Sequence, residues 1–202
     1  MPTDGLQGLI SVAIGLGLAA ACGFRVFTPL LIAGIAAHWG HLPLAGGFEW
    51  LGSLPALLAF GTATVLEIGA YYFPWLDHAL DVIATPAAVL AGIVAAASVV
   101  TDLPPLLKWT VTIVGGGGAA GLVQAASVLL RLKSTALTGG LGNPVVATIE
   151  AAGSVVTSIV AIVLPLVAVA VLVVGVVLVF RLKARVGSRV TRVETRRPTL
   201  GP

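Results

Sequence analysis

Residues 145–180 read VVATIEAAGSVVTSIVAIVLPLVAVAVLVVGVVLVF, an almost continuous apolar run in which Glu150 is the single ionisable residue. As one helix, at ~1.5 Å per residue, this run would be roughly 54 Å long. The hydrocarbon core of a bilayer is only ~30 Å thick. The run therefore predicts a membrane segment that bends or divides, and Gly153 and Pro165 are the candidate positions. Whether residues 144–183 cross the bilayer once or twice stays open.

The rest of the chain has the same character. Of its 202 residues, 58% are hydrophobic and only 9% are charged, whereas about a quarter of the residues in a soluble domain are charged. The composition predicts an all-α, polytopic transmembrane helical bundle over residues 1–183. Residues 184–202 are rich in arginine, so we expect a basic, disordered tail that is retained in the cytoplasm, with the bundle in the cell (inner) membrane. The orientation of the N-terminus stays open.

Apolar segments alternate with breaks along the chain. Long segments cover about residues 5–24, 51–73, 77–100 and 106–132. A shorter piece at 29–37 cannot span a bilayer alone, and residues 38–50 form a wetter loop with Trp39 and Trp50. Glycine and proline interrupt the pattern near 23–29 and 138–144, where we expect broken or re-entrant helices.

Two motifs carry a family resemblance. Residues 21–31 read ACGFRVFTPLL, and residues 134–146 read STALTGGLGNPVV. With His41–Pro43 and Thr64–Glu67, they make the chain resemble an uncharacterised bacterial integral-membrane family, catalogued as domain of unknown function 4126. The resemblance covers nearly the whole chain up to the basic tail. It implies a multispan membrane fold and no particular activity.

Arg25 and Glu67 are the most conspicuous intramembrane charges. A charged side chain at the centre of a membrane helix costs at least ~2.5–3.5 kcal/mol, so it persists where it pairs, lines a wet cavity or acts. Arg25 lies between Gly23 and Pro29, where a helix break would offer backbone N–H groups to an anion. The alternative is an internal ion pair with Glu67, and for Glu67 we favour this counter-ion role over that of a proton relay.

Further polar residues recur at helical spacing. Asp77 and Asp81 share a helix face; we expect Asp77 to cap its helix, and Asp81 stays open as a cation or proton site. Gln124, Ser127 and Arg131 form a second stripe, and Glu150, Ser154 and Thr157 or Ser158 form a third. These two stripes flank the glycine-rich break, so they are predicted to face each other, with Arg131 near Glu150.

The glycine-rich break itself contributes candidate backbone ligands. Gly139, Gly140, Gly142 and Asn143 would bind an ion or solute if the break lines a water-filled cavity. The alternative is a loop at head-group level, which the neighbouring Lys133 favours. The glycines at 115–121 predict close helix packing or self-association.

The sequence gives no support for enzyme chemistry. Cys22 and the serines have no histidine nearby in sequence, and His38 and His41 lack a fourth ligand beside Glu49 for a metal. We therefore expect no enzyme activity, no cofactor, no metal and no nucleic-acid partner. The expected partners are the lipid bilayer, anionic lipids at the basic tail and a second copy of the chain.

These observations lead to three functional hypotheses. The first is a small transporter or channel for an ion or a small, anionic solute, with Arg25 contacting the anion and Glu67 and Asp81 as coupling or pairing acids. The second is a non-transporting scaffold or subunit of a larger membrane complex. The third is a lipid-handling protein, in which Arg25 and the basic tail engage phosphate head groups.

Overall fold

The computed structural model describes residues 2–70, 74–101, 103–175, 177 and 181, with side chains omitted for residues 2–4 and 74–82. The described chain is helical. Its main helices are α1 (Pro2–Cys22), α2 (Phe27–His38), α3 (Leu54–Ala70), α4 (Pro74–Val99), α5 (Pro105–Thr110), α6 (Gly117–Thr138) and α7 (Asn143–Val163). A π-helical segment, Val111–Gly116, joins α5 to α6, and Glu49–Gly52 forms a short 3₁₀ turn.

Both predicted breaks are present. The helices stop between Cys22 and Phe27 and again between Thr138 and Asn143, as the glycines and prolines there predict. Pro165 divides the long C-terminal run: α7 ends at Val163 and a further helix covers Pro165–Gly175. Gly153 lies inside α7 without interrupting it.

One helix boundary differs from expectation. The structure begins α4 at Pro74, three residues before Asp77, so the prediction that Asp77 caps this helix is wrong. The physical reason is that proline is well suited to the first turn of a helix, where its missing N–H has no partner to lose. Asp77 lies one turn inside the helix.

Helix α1 forms the centre of the bundle. A Cβ added at Gly15 would meet Ala96 of α4 and Val100 directly after this helix, and one at Gly92 would meet Ala19, so α1 and α4 run antiparallel. Gly17 faces Ala161 of α7, whereas Ser154 donates a hydrogen bond to the Ala21 carbonyl, which makes α7 antiparallel to α1 as well. Helix α6 runs parallel to α1, because Leu16 reaches Gly115 and Gly23 reaches Ala120.

The four central helices approach very closely at one level. A Cβ at Gly17 would lie 2.6 Å from the Ala161 Cβ, one at Gly92 2.5 Å from the Ala120 Cβ, and one at Gly116 2.8 Å from the Ala96 Cβ. Small residues let helix backbones come together in this way. We call this level, defined by Gly15, Gly17, Gly92, Gly116 and the alanines that they face, the small-residue layer.

Helices α2 and α3 flank this centre. They run antiparallel to each other, since Gly34 packs on Leu57 while the backbone of Phe27 reaches Glu67. Helices α1, α3 and α6 therefore finish at the end of the bundle where α2, α4 and α7 begin. We call this the charged end. At the opposite, loop end, the Ala45 N–H donates to the Ser98 carbonyl.

The outer surface is apolar. Three helices, Gly5–Cys22, Pro105–Thr138 and Asn143–Val163, are long and apolar enough to cross a membrane. Large apolar side chains such as Leu58, Val65, Val114 and Ile149 point outward and are more than half exposed. Exposed apolar surface of this extent requires a lipid environment, so the structure is that of a helical membrane bundle.

Candidate functional site

The break between α1 and α2 places Arg25 inside the protein. Gly23 lies so close to α6 that an added Cβ would sit 2.5 Å from the Ala120 carbonyl oxygen. This contact holds the end of α1 against α6 and directs the next residues into the bundle. The Arg25 side chain is buried, and its Nη2 donates a hydrogen bond of 2.6 Å to the Ala147 carbonyl in the first turns of α7.

Glu150 joins two arginines at this position. Arg131 of α6 donates from Nε to one carboxylate oxygen, at 3.1 Å, and from Nη2 to the other. The Arg25 Nη2 lies 3.6 Å from the same Glu150 oxygen that accepts from the Arg131 Nη2. Only 1% of Arg25, 5% of Arg131 and 2% of Glu150 is exposed. We call these three residues the arginine–glutamate cluster. The predicted proximity of Arg131 to Glu150 is confirmed.

Glu67 has a different role from the one expected. Its carboxylate accepts hydrogen bonds from the backbone N–H groups of Val26, at 2.7 Å, and Phe27, at 3.1 Å. It thereby caps the first turn of α2, whose own N-terminal residues provide no side-chain cap. The prediction of a direct Arg25–Glu67 ion pair is therefore wrong: within the described residues, Arg25 contacts Glu150 and Ala147, while Glu67 satisfies the positive end of a helix.

The charges of Glu67 and the two arginines are still close in space. Glu67 accepts a hydrogen bond from the N–H of Val26, the residue that follows Arg25. Helix α3 finishes at the charged end, as does α6, and α7 begins there. The break, the end of α3 and the α6–α7 hairpin thus gather two arginines and two glutamates in one part of the bundle.

Two buried polar stripes lead from this cluster toward the small-residue layer. On α6 the buried polar residues are Gln124, Ser127 and Arg131, and on α7, beyond Asn143 at its start, they are Glu150, Ser154 and Ser158. Thr157 is only partly buried, so Ser158 continues the α7 stripe. The Ser154 hydroxyl donates to the Ala21 carbonyl and the Ser158 hydroxyl to the Ser154 carbonyl. From Glu150 to Ala161, α7 rises roughly 16 Å.

The glycine-rich break is a tight turn at the tip of the α6–α7 hairpin. Gly139 and Gly140 adopt left-handed conformations, with φ of 63° and 92°, which glycine allows at no steric cost. The Gly142 N–H donates to the Thr138 hydroxyl and the Asn143 N–H to the Gly140 carbonyl. The Asn143 side-chain amide donates to the Thr135 hydroxyl at 3.1 Å. Several polar groups of the turn are thus used within the turn itself.

The remaining candidates lie elsewhere. The backbone of Asp81 belongs to the first turns of α4, which starts at the charged end, but its side chain is outside the described part of the structure. The basic tail, residues 184–202, also lies outside the described residues. His38 and Glu49 line a cleft of about 380 Å³ at the loop end, where His38 Nδ1 lies 2.7 Å from the Gly52 carbonyl oxygen.

Two features of the site were not predicted. One is the Ala147 carbonyl as a partner of Arg25, for which a backbone atom leaves no signal in the sequence. The other is the π-helical segment Val111–Gly116 directly before α6. Its only sequence trace is the start of the glycine run at Gly115, because a six-residue change of helical pitch is too short to alter the apolar periodicity.

Comparison with known proteins places the whole chain in one family. The family model for a domain of unknown function, DUF4126, matches residues 12–185. This range contains α2 to α7, most of α1 and every member of the arginine–glutamate cluster. No curated protein and no solved structure matches the chain. Because the match extends over most of its 202 residues, the chain belongs to the DUF4126 family.

Proposed function

We propose that this protein is a small membrane transporter or channel for an ion or a small, anionic solute. The observation that supports this proposal is the arginine–glutamate cluster, buried where the α1–α2 break meets the first turns of α7. A charge inside a membrane protein is costly, and ionisable residues there commonly mark ion or substrate pathways. Two guanidinium groups from different elements, both directed at one carboxylate, are well suited to bind an anion.

The interior of the bundle supports a pathway from this cluster. The polar stripes of α6 and α7 continue inward through Ser127 and Ser154, so an anion leaving the cluster would meet hydroxyl groups rather than hydrocarbon. The small-residue layer then blocks the way, which suits a closed gate that must open for passage. The glycine-rich turn and Asp81 are further elements of this proposal: Asp81 as a coupling acid, and Gly139, Gly140 and Gly142 as a flexible entrance.

Anion flux through reconstituted protein tests the proposal. Proteoliposomes containing the wild-type chain are expected to take up radiolabelled chloride, phosphate or lactate faster than protein-free liposomes do. Arg25→Ala is expected to slow uptake of the transported anion at least about thirtyfold, because removing one partner of a buried, hydrogen-bonded charge cluster costs ~2–5 kcal/mol. Arg25→Lys, which keeps the charge but not the planar fork, should retain part of the flux.

Lys133→Ala is the matched control for this experiment. Lys133 lies on α6 two residues beyond Arg131 and is exposed, so its removal should leave the flux unchanged. Variants enter the comparison only when they elute as monodisperse protein in detergent. Equal flux from wild type and Arg25→Ala, or wild-type uptake no faster than in protein-free liposomes for all three anions, would contradict the transport proposal.

A non-transporting scaffold is the second candidate, and one observation favours it. The contacts described for Glu67 and Glu150 are closed within the protein, to backbone N–H groups and to arginines. A scaffold would use its exposed apolar face or the exposed Gly118 for a partner or a second copy. Absence of flux together with a constant dimer in cross-linked membranes would favour the scaffold over the transporter.

The proposal also gives the protein an orientation in the cell membrane. We expect residues 184–202 in the cytoplasm, because positively charged residues beside a membrane segment are retained there, and we expect them to contact anionic lipid head groups. Green fluorescent protein fused after Pro202 should fluoresce, whereas alkaline phosphatase fused at the same position should be inactive. The opposite pair of results would place the tail outside the cytoplasm.

A further inference from the structure

The position of the Glu150 carboxylate in the arginine–glutamate cluster suggests what kind of anion the protein takes. Nε and Nη2 of Arg131 face its two oxygens as a parallel fork, and Arg25 Nη2 lies 3.6 Å from one of these oxygens. A planar group with two oxygens fits such a fork, which is why arginine is the usual partner of carboxylates. The donors are thus already arranged for a carboxylate and are shielded from water.

We propose that this position is a substrate site for small organic carboxylates. When no substrate is bound, the side-chain carboxylate of Glu150 occupies the site. The inference rests on the proposed transport function and specifies its substrate class. Arg25 and Arg131 are the two guanidinium ligands. The substrate carboxylate replaces that of Glu150, so a carboxylate lies beside the two guanidinium groups before and after the exchange.

The connectivity of the cluster allows such an exchange. Arg25 belongs to the α1–α2 break, Arg131 to α6 and Glu150 to α7, so each charge sits on a different element. A shift of α7 moves Glu150 away from both arginines, and it also breaks the hydrogen bond from Arg25 Nη2 to the Ala147 carbonyl. Arg131 stays on α6, which packs against α1 and α4 through Gly23, Gly92 and Gly116. The turn at Gly139–Gly142, which connects α6 to α7, contains three glycines, of which Gly139 and Gly140 have positive φ.

The length of the substrate is limited by what surrounds the site. Toward the centre of the bundle, the Ser154 hydroxyl already donates to the Ala21 carbonyl, one turn of α7 beyond Glu150. The small-residue layer lies two turns farther on. A carboxylate of two to four carbon atoms spans a turn of helix, ~5.4 Å, at most. We therefore expect short carboxylates rather than fatty acids.

Counterflow with the wild-type protein is the first test. Proteoliposomes loaded with unlabelled lactate are diluted into trace radiolabelled lactate at pH 8, where little of the membrane-permeant free acid exists, and protein-free liposomes give the background. We expect lactate to exchange roughly tenfold faster than chloride or phosphate. This is the ratio of affinities that one additional well-oriented contact provides. Lactate exchange no faster than that of the inorganic anions would overturn the inference and leave anion transport intact.

Chemical rescue tests the site without relying on transport. Glu150→Ala leaves a cavity the size of a carboxymethyl group between the two arginines. Acetate should bind there and reverse roughly half of the decrease in melting temperature that the substitution causes, because a ligand that binds only the folded protein stabilises it. Chloride at equal ionic strength should restore little. Glu150→Gln is the control, because its amide fills the same space, and acetate should leave its melting temperature unchanged.

The two experiments separate the possible failures. Rescue of Glu150→Ala by acetate without any anion flux in the wild type would retain the carboxylate site and refute transport. Equal effects of acetate and chloride on Glu150→Ala, or an equal effect of acetate on Glu150→Gln, would refute the site. If Glu150→Ala cannot be purified in folded form, the counterflow preference for lactate over chloride and phosphate decides the inference alone.

Discussion

Glu150→Ala is expected to lower the free energy of unfolding by ~3–5 kcal/mol, the range observed when one partner of a buried ion pair is removed. In this protein the substitution takes from Arg131 the acceptor of two hydrogen bonds and from Arg25 a carboxylate 3.6 Å away. Both guanidinium groups remain buried and charged. Steric trapping in bicelles, which reports the unfolding equilibrium of membrane proteins, measures the difference from wild type.

A variant at a second acidic residue, outside the cluster, tests whether the loss of any carboxylate would have the same effect. Glu49→Gln removes an exposed carboxylate that accepts a hydrogen bond from the Gly47 N–H at the loop end. Because surface substitutions usually change stability by no more than ~0.5 kcal/mol, this variant should behave almost as wild type. If Glu49→Gln and Glu150→Ala cost the same, the arginine–glutamate cluster does not contribute to stability as described.

A triple substitution separates stability from function at the same cluster. Replacing Arg25 and Arg131 by methionine and Glu150 by leucine removes all three charges while keeping most of the volume. Buried ion pairs exchanged for well-packed apolar residues are often neutral for stability or better. We expect this variant to recover most of the stability lost in Glu150→Ala and to have no anion flux. Normal flux from it would assign the cluster to packing alone.

Gly23→Ala is the second substitution with a large expected effect. The added Cβ would lie 2.5 Å from the Ala120 carbonyl oxygen and 2.6 Å from the Val123 Cβ. Both atoms are fixed to the α6 backbone, so no side-chain rotation relieves the overlap. Overpacking of this kind costs about 1–3 kcal/mol. The end of α1 must also move away from α6, and Arg25 moves with it, so flux should fall together with stability.

Gly118→Ala is the matched control for Gly23→Ala. Gly118 lies in the first turn of the same helix α6, and an added Cβ would meet no atom within 4 Å. Alanine is favoured over glycine inside a helix by up to ~1 kcal/mol, so this substitution should leave the protein as stable as wild type or slightly more stable. A Gly23→Ala variant as stable as Gly118→Ala would show that the close contact between α1 and α6 is not required.

The sequence predicted the class of fold because the bilayer imposes strong rules on composition and length. The breaks at Gly23–Val26 and Gly139–Gly142, and the division at Pro165, follow from residues that cannot continue a helix or that allow a left-handed turn. The facing of Arg131 and Glu150 was predictable for a similar reason. They lie on two antiparallel helices joined by a short turn, so the number of residues between each of them and the turn determines their positions along the helix axes.

Which charged residues contact each other could not be predicted in this way when they belong to helices far apart in the sequence. Arg25 was assigned to Glu67, because both are isolated charges in apolar segments. The structure instead directs Glu67 to the N–H groups that begin α2 and directs Arg25 toward α7. That choice depends on how α3 and α7 are rotated about their axes, which is set by packing of the whole bundle. The same holds for the small-residue layer: the sequence gives the glycines but not the helices that they contact.

The central position of α1 has a consequence for how the protein is made. Helix α1 precedes the other described helices in the chain, yet its residues Gly5–Cys22 are more buried than Pro105–Thr138 or Asn143–Val163. Ala147, which accepts the hydrogen bond of Arg25, is synthesised 122 residues after that arginine. Until α7 has entered the bilayer, Arg25 lacks both the Ala147 carbonyl and the Glu150 carboxylate that it contacts in the folded bundle. The bundle can therefore close around α1 only after α7 has been translated.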